Sequence, residues 1–460
     1  MRFLLKCLGA GALAVAIAAG QQQSPYQGSV PSGTASPAPL ALTLHDAVAR
    51  GLRTNLGLLL SDSATESARG AKLQALSALL PRLDARIGET VEQVDLQTFG
   101  FTFTFPGVSL PTVVGPFHYT DLRALGSWTA FDESARRNYR AAEQNRRAAQ
   151  LSALDARDLV VQATADAYLQ IIADASRVQD IESQVETANA LYKRATDQFQ
   201  AGTAAQIDVL RAQVELKQQQ QRLLAQQNQW EKDKLTLGRV IGLPDGQDFR
   251  LAETVPFAPL TGITQEQALD VAHRQRADYQ SSQALVRAAE LTVKAAQAER
   301  YPTAEINADY GVVGVNLGNS HGTFSVVGAA RVNVFDGKRI EGDIVQAKAA
   351  LKQRQDEFAD LGAQVAYQVR TAFLDIRTAA DQVQVARDNQ ALANQTLEQA
   401  RDRFTAGVTD NIEVVQAQES VANANDSLIL ALFAHNAAKV ALGRAVGGAE
   451  QGLQKLLEVK

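Results

Sequence analysis

Cysteine is almost absent from this chain of 460 residues. The one cysteine, Cys7, stands before an apolar, alanine-rich run at residues 8–19, which follows the basic residues Arg2 and Lys6. This pattern is typical of a secretory signal peptide, which we expect to occupy residues 1–20. A membrane-anchoring helix is the alternative, but the run is short for a span. Without the signal peptide, the mature protein would have no thiol, disulfide or cysteine metal site.

Positive charge is also scarce, since 45 Lys and Arg face 50 Asp and Glu, for a formal net charge of −5. This balance argues against nucleic acid as a partner. The histidines are scattered, and the sequence has no His-x-x-x-His pair, no glycine-rich phosphate loop and no nucleophile elbow. We therefore expect a protein that is not an enzyme and that holds no cofactor and no metal. The five histidines are His45, His118, His273, His321 and His435.

Proline is missing between Pro116 and Pro244 and after Pro302, so very long helices can form there without kinks. A first helix is predicted from Asp132 to Ala201, about 70 residues and roughly 100 Å long. Apolar or small residues recur every seven positions in both halves, which indicates coiled-coil packing. One such seam contains Val365, Ala372, Ala379, Ala386, Ala393 and Ala400.

Alternation of apolar and polar residues follows two of the prolines, Pro81 and Pro302, and predicts strands. Each half contributes one hairpin of two strands, at about residues 83–131 and 304–335. The first hairpin carries a longer, aromatic and proline-rich loop at residues 97–119. No later segment has an apolar run of 18 residues, so strands are expected to cross any membrane.

One stretch occurs twice. Residues 199–213 read FQAGTAAQIDVLRAQ and residues 404–418 read FTAGVTDNIEVVQAQ, 205 positions later. A glycine in each copy fits the left-handed turn between two helices, so each copy forms the tip of a helical hairpin. Capping boxes are expected at Thr203/Gln206 and Asp410/Glu413. The tip residues are Ala201, Gly202, Thr203, Ala406, Gly407 and Val408.

The duplication extends beyond the tips. Residues 42–81 align with residues 263–302 at an offset of 221, and LGRVIG and LGRAVG close the two halves. We therefore divide the rest of the chain into a flexible leader (21–41), a first repeat (42–242), a linker (243–262), a second repeat (263–447) and a polar tail (448–460).

Four strands from one chain cannot close a barrel, and open strand edges cannot face lipid. Three chains would supply twelve strands, which is within the range of outer-membrane barrels. The predicted fold is mainly α with a small β part. Long coiled-coil helices form a trimeric α-helical barrel, and four strands per chain form a shared 12-stranded β-barrel.

The two repeats, the RF-x-AG motif at residues 403–407 and the closing LGR segments resemble the TolC family of outer-membrane efflux proteins over residues 42–447. The resemblance implies a homotrimer in outer-membrane lipid with a long periplasmic extension. It also implies a periplasmic adaptor that contacts the tips, an inner-membrane pump, and a passive conduit between them. Alternatively, the tip glycines only close helices.

The same resemblance implies a periplasmic gate. Asp208 and Glu413, 205 positions apart, match the family's inward-facing acids, although acids in a first helical turn also interact well with the helix dipole. Phe404 and Thr409 stand where the best-known gate has tyrosine and arginine, and Gln416 replaces an aspartate. We therefore predict a gate held by packing and acidic repulsion.

Two other functions stay open from the sequence alone. One is the outer-membrane channel of a type I protein secretion system, which would use the same architecture. The other is a periplasmic coiled-coil scaffold, which has no need for amphipathic strands.

Overall fold

The computed structural model describes residues 25–100, 111–253, 255–406, 408–409, 411–450, 452 and 457. The predicted signal peptide and part of the loop at 97–119 therefore lie outside the described residues. The helices are α1 (Leu44–Thr54), α2 (Leu56–Ser77), α3 (Glu133–Gln200), α4 (Gln206–Val240), α5 (Gln265–Gln275), α6 (Ala277–Ala298), α7 (Arg339–Thr405) and α8 (Asn411–Val446). The strands are β1 (Leu40–Leu42), β2 (Arg82–Asp95), β3 (Val113–Phe131), β4 (Phe249–Leu251), β5 (Thr303–Gly314) and β6 (Ser320–Arg331).

Two very long helices, α3 and α7, form the body of the molecule with 68 and 67 residues. The prediction of a first helix of this length is confirmed, with the Asp132 side chain capping its first turn through the Ala135 N–H. The alanine-rich seam of α7 is buried along its whole length, from Val365 to Ala400. Small side chains let helix axes approach closely, so this seam holds α7 against its neighbours.

Each long helix has different neighbours along its two halves. The first half of α3 packs against α2 and α6, as the contacts Lys72–Glu143 and Ser281–Ala148 illustrate. Its second half packs against α4 and α8, for example through Arg177–Asp426. The lateral order is therefore α2-α3-α6-α7 in one half of the body and α4-α3-α8-α7 in the other.

The ends of α4 and α8 are closed by two equivalent glycines with positive φ, Gly242 (65°) and Gly447 (85°). Because a glycine has no side chain, Gly242 leaves room for the junction of α1 and α2, and Gly447 leaves room for the junction of α5 and α6. A Cβ on Gly242 would lie 2.5 Å from Thr54 Oγ1, and one on Gly447 would lie 3.0 Å from Arg276 Cα. These glycines explain why LGRVIG and LGRAVG recur at the ends of the repeats.

Residues 25–41, the described part of the predicted flexible leader (21–41), contain a short 3₁₀ helix and the first two residues of β1. Strand β1 pairs in parallel with β4, which lies in the predicted linker. The Val30 N–H donates to the Thr54 carbonyl at 2.8 Å, and Leu42 is fully buried. The expectation was therefore wrong for part of this segment, because Leu40 packs against the core cluster of α1 and α3, whereas residues 30–39 are exposed.

The four longer strands form one antiparallel sheet in the order β2-β3-β5-β6. Both predicted hairpins are present, and β3 joins them by pairing with β5. The last strand ends at Arg331 rather than near residue 335, and the Asp336 carboxylate accepts a hydrogen bond from the Ile340 N–H in the first turn of α7. In the described part of the chain, β2 and β6 each have only one partner strand, so both edges of the sheet are open.

The two faces of this sheet differ, as the alternation predicted. On one face, rows across the strands pair apolar residues, such as Ala85–Ala124–Tyr310–Phe324. On the other, the Arg123 guanidinium bonds to Asp121 at 3.2 Å, to Thr323 Oγ1 at 3.2 Å and to Asp309. Gly311 stands opposite this arginine, where a Cβ would lie 2.8 Å from Arg123 Cα.

Helix α8 is, by length and composition, apolar enough over Ile412–Val446 to cross a membrane. The sequence had indicated no such segment. In the fold, this helix packs along α7 and α3. It also buries three polar side chains, His435, Asn436 and Lys439. Its apolar residues therefore contribute to the packing of the helical body.

We predict that Gly242→Ala destabilises the protein, because the new Cβ meets Thr54 and the backbone has positive φ. The expected loss is about 2 kcal/mol, measured as a lower midpoint of thermal unfolding by circular dichroism. Gly70→Ala in α2 is the matched control, since no atom lies within 4 Å of its new Cβ. It should leave the midpoint unchanged or raise it. Equal midpoints for Gly242→Ala and the wild type would contradict this role.

Candidate functional site at the hairpin tips

The two tips of the helical hairpins share one backbone geometry. The Thr203 N–H donates to the Gln198 carbonyl at 2.9 Å, and the Val408 N–H donates to the Arg403 carbonyl at 3.0 Å. Each bond closes a Schellman turn at the end of a long helix, and Gly202 supplies the left-handed residue with φ of 74°. Gly407, its predicted counterpart, lies outside the described residues. The duplicated sequence thus produces a duplicated turn.

The predicted capping box at Thr203 and Gln206 was wrong. Helix α4 begins after Ala205, whose side chain makes no cap, and the Thr203 hydroxyl donates instead to the Gln198 carbonyl at 3.0 Å. Thr203 belongs to the Schellman turn that ends α3. The N-cap position of α4 is therefore Ala205, two residues after Thr203. The second proposed box includes Asp410, which lies outside the residues that the structure describes.

The tips themselves are exposed. Ala201, Gly202, Thr203 and Ala406 are all exposed, as is Val408, whereas Thr409 is half-buried. A stripe of exposed apolar residues, not predicted from the sequence, begins beside the first tip. Ile207, Leu210 and Val214, at helical spacings of three and four, are each about half exposed on α4. Their spacing was the available signal.

An apolar cluster joins the two hairpins just above the tips. Leu191 and Ala195 of α3 pack with Leu397 and Ala400 of α7 and with residues of α4 and α8. Phe404 lies partly buried against this cluster. The Arg194 guanidinium lies 5.6 Å from the centre of the Phe404 ring, a cation–π contact between the hairpins. Sequence reasoning did not identify Arg194, since it lies outside the apolar seam.

The two predicted gate acids each lie near an arginine of the same hairpin. Arg403 precedes the second tip and reaches Glu413 after it at 3.1 Å, while Arg211 lies 3.7 Å from Asp208. Both carboxylates remain partly accessible, at 38% and 23% of the side-chain surface. Mutual repulsion of the acids is therefore reduced by a cation beside each one.

A polar layer crosses the bundle several turns above the tips. Gln390 of α7 donates to Asn425 of α8 at 2.8 Å, and Asn425 donates to Asp180 of α3. Gln184 also donates to Asp180, at 2.6 Å. Burial raises the pKa of Asp180 above its usual value. Gln390 interrupts the apolar heptads, which was the signal for this layer in the sequence.

These features define a class of protein. Two duplicated hairpins of long helices below an antiparallel sheet with open edges form one protomer of an outer-membrane channel fold. The model of the family described as outer membrane efflux protein matches residues 48–243 and 268–448. The chain belongs to this family. The predicted resemblance is therefore confirmed.

Curated relatives and solved structures agree with that membership. Over 307 residues, the chain is 24% identical to the pyoverdine export outer membrane protein OpmQ of Pseudomonas putida, a match that covers 62% of the chain and 61% of OpmQ. It is 23% identical to the probable efflux pump outer membrane protein TtgC of the same species, over 71% of the chain and 67% of TtgC.

Two solved structures have the same fold. The outer membrane protein VceC of Vibrio cholerae superposes with a TM-score of 0.76 at 18% identity, covering 88% of this chain and 96% of VceC. The CmeC outer membrane channel of Campylobacter jejuni gives a TM-score of 0.76 at 17% identity, covering 90% and 89%. The predicted fold class, mainly α with a small β part, is confirmed.

We predict that Arg194→Ala loosens the contact between the two hairpins at the tips. A partly exposed cation–π contact contributes about 0.5–1 kcal/mol, so backbone amides near the tips should exchange hydrogen roughly two to five times faster. Hydrogen–deuterium exchange read by mass spectrometry would measure this. Lys193→Ala, at the exposed neighbouring position, is the control and should leave the rates unchanged. Equal exchange rates in the Arg194→Ala and Lys193→Ala variants would show that Arg194 does not stabilise the contact between the two hairpins.

Proposed function

We propose that the protein is the outer-membrane channel of a tripartite efflux system, a passive trimeric conduit from the periplasm across the outer membrane. The observation that carries this proposal is the amphipathic sheet with two open edges, placed on a long helical body. The names of the relatives support it, since OpmQ is described as an export protein and TtgC as part of an efflux pump. The channel fold of VceC and CmeC supports a conduit rather than an enzyme.

The trimer follows from the open edges. An unpaired strand edge in lipid leaves backbone groups without hydrogen bonds, and only closure with further strands removes them. Helices α4 and α7 lie at the two lateral ends of the lower body, and both expose apolar side chains there. On α7 these residues are Tyr367, Leu374, Val385 and Leu392. Neighbouring chains would cover helix faces and strand edges together.

One face of the sheet carries an exposed apolar band. It extends along β2 from Leu83 to Ile87 and changes to polar residues at Glu89, which accepts bonds from Thr120 and pairs with His118. Leu83, Ile87 and Phe324 on this face are each more than two-thirds exposed in one chain. Outer-membrane lipid is the partner that suits such a band. A periplasmic scaffold has no use for it.

The periplasmic adaptor would meet the tips. The exposed apolar residues Ile207, Leu210 and Val214, with Val408 beside the second tip, offer a surface for an amphipathic helix. An inner-membrane pump would then connect through the adaptor. A type I protein secretion channel has the same architecture, but the export and efflux descriptions of OpmQ and TtgC favour small cargo.

The gate, in this proposal, closes by packing together with paired charges. Phe404 fills the space between the hairpins, and Arg194 covers its ring. Asp208 and Glu413 keep a partly exposed carboxylate, three copies of each, around a narrow opening. Fixed acids in a confined pore favour cations even when neighbouring arginines reduce their field. Thr409 cannot supply the charge that an arginine would bring.

The first test of the conduit is the mass of the detergent-extracted protein from the outer-membrane fraction. Native mass spectrometry should find three copies of the chain, because three sets of four strands close one sheet. A soluble monomer or dimer in the periplasmic fraction would contradict the channel and favour the scaffold.

The gate is tested by Asp208→Asn combined with Glu413→Gln in planar lipid bilayers. We expect conductance to persist while the preference for potassium over chloride falls toward equality, because the six carboxylates are gone. Glu182→Gln, an exposed acid of α3 far above the tips, is the matched control and should keep the wild-type preference. Unchanged selectivity in the double variant would exclude these acids from the permeation path.

A further inference from the structure

A basic cavity of about 240 Å³ lies far from the tips, where α3, α5 and α6 meet. Three arginines from three different helices line it, and the rest of its wall is neutral apart from one histidine. Among the described residues, no carboxylate lines it. The polar lining residues are Arg147, His273, Arg274, Gln280, Gln283 and Arg287.

These arginines lack ionic partners in the part of the chain that the structure describes. Among the described residues, no ion pair joins Arg147, Arg274 or Arg287 to a carboxylate. Arg274 donates only from Nε, to the carbonyl of Asp270 at 3.1 Å, so its two terminal nitrogens remain available. Arg276, two residues later, shows the contrast: it is buried, and its guanidinium bonds to Asp278, Gln368 and the Ala445 carbonyl.

The cavity wall is fixed by surrounding contacts. The Gln280 amide donates to the Arg274 carbonyl at 2.6 Å, which ties the end of α5 to the start of α6. The His273 ring packs on Tyr279 at 5.2 Å between centres, and Tyr279 packs on Phe358 of α7 at 4.8 Å. The side chains that carry the charge therefore extend from a braced backbone.

The internal repeat shows that part of this basic character is specific to one copy: Arg274 has a basic counterpart, Arg53, but other positions differ. At the offset of 221 that aligns the short helices, Gln283 and Arg287 correspond to Asp62 and Glu66 of the first repeat. The packing of the repeat therefore accepts an acid at these positions. Two of the cavity's polar positions thus differ in charge between copies of one fold, so the fold alone does not require a cation there.

We propose that this cavity binds a phosphate group. Guanidinium forks match the oxygens of phosphate in pairs, and three exposed arginines without an ionic partner among the described residues line this one cavity. The amides of Gln280 and Gln283 can donate further hydrogen bonds. Free phosphate and the phosphate of a lipid headgroup share this chemistry. The site lies far from the gate residues at the hairpin tips.

The test uses the full-length protein in detergent and isothermal titration with two probes, inorganic phosphate and glycerol 3-phosphate. We expect a saturable site on each chain for at least one probe. Tighter binding of glycerol 3-phosphate would identify a lipid headgroup as the natural source, and tighter binding of inorganic phosphate would identify the free ion. Absence of binding by both probes would overturn the proposal.

Arg287→Glu copies the residue of the first repeat and should weaken binding at least tenfold, with Arg287→Gln intermediate. Arg140→Glu, an exposed change of equal charge two turns earlier on α3 and outside the cavity, is the matched control and should bind like the wild type. Circular dichroism and the elution volume of the assembly would check folding of each variant. Equal losses in Arg287→Glu and Arg140→Glu would overturn the site, because they would show a general effect of surface charge.

Discussion

The structure depends on close packing between helices of about 100 Å, and this packing depends on small side chains at every seventh position. The seam of α7 from Val365 to Ala400 contains mostly alanine, so it provides little apolar area per residue but allows close approach along the whole length. Stability then comes from many weak contacts in series rather than from one compact core. Proline would interrupt this series, which explains why none occurs inside the long helices.

Local sequence patterns, such as the one that forms this seam, account for the part of the fold that could be predicted from the sequence. Heptads, strand alternation and the repeated tip motif predicted the long helices, both strand hairpins and the duplicated turns. Each of these patterns depends on residues that are close together in the sequence. The prediction of a flexible leader was wrong because Tyr26 and Leu40 pack against distant residues. Tyr26 packs on Gly57, where a Cβ would lie 2.5 Å from its ring, and no short-range pattern encodes that contact.

The candidate site shows the same division. The tip residues were predictable because the turn is set by its own sequence, whereas the partners of the gate acids were not. Arg403 reaches Glu413 across the turn, but the equivalent position in the first repeat is Gln198, so the duplication could not indicate the ion pair. Arg194 and Phe404 belong to different repeats and meet only after the hairpins pack. Contacts between the two repeats could therefore not be predicted from the repeated sequence itself.

Divergence between the copies therefore marks the places where the two halves perform different tasks. At the junction of the short helices, Asn55 caps α2 by accepting from the Gly57 N–H at 2.9 Å and donates to the Tyr26 carbonyl. Its counterpart in the second copy is Arg276, buried in a network with Asp278. The first junction contacts the folded leader through Tyr26. The basic cavity lies on both sides of Arg276, with Arg274 before it and Gln280 after it. Its difference from the first copy follows the same principle: a shared backbone keeps the helices in place, while unshared side chains supply what only one half needs.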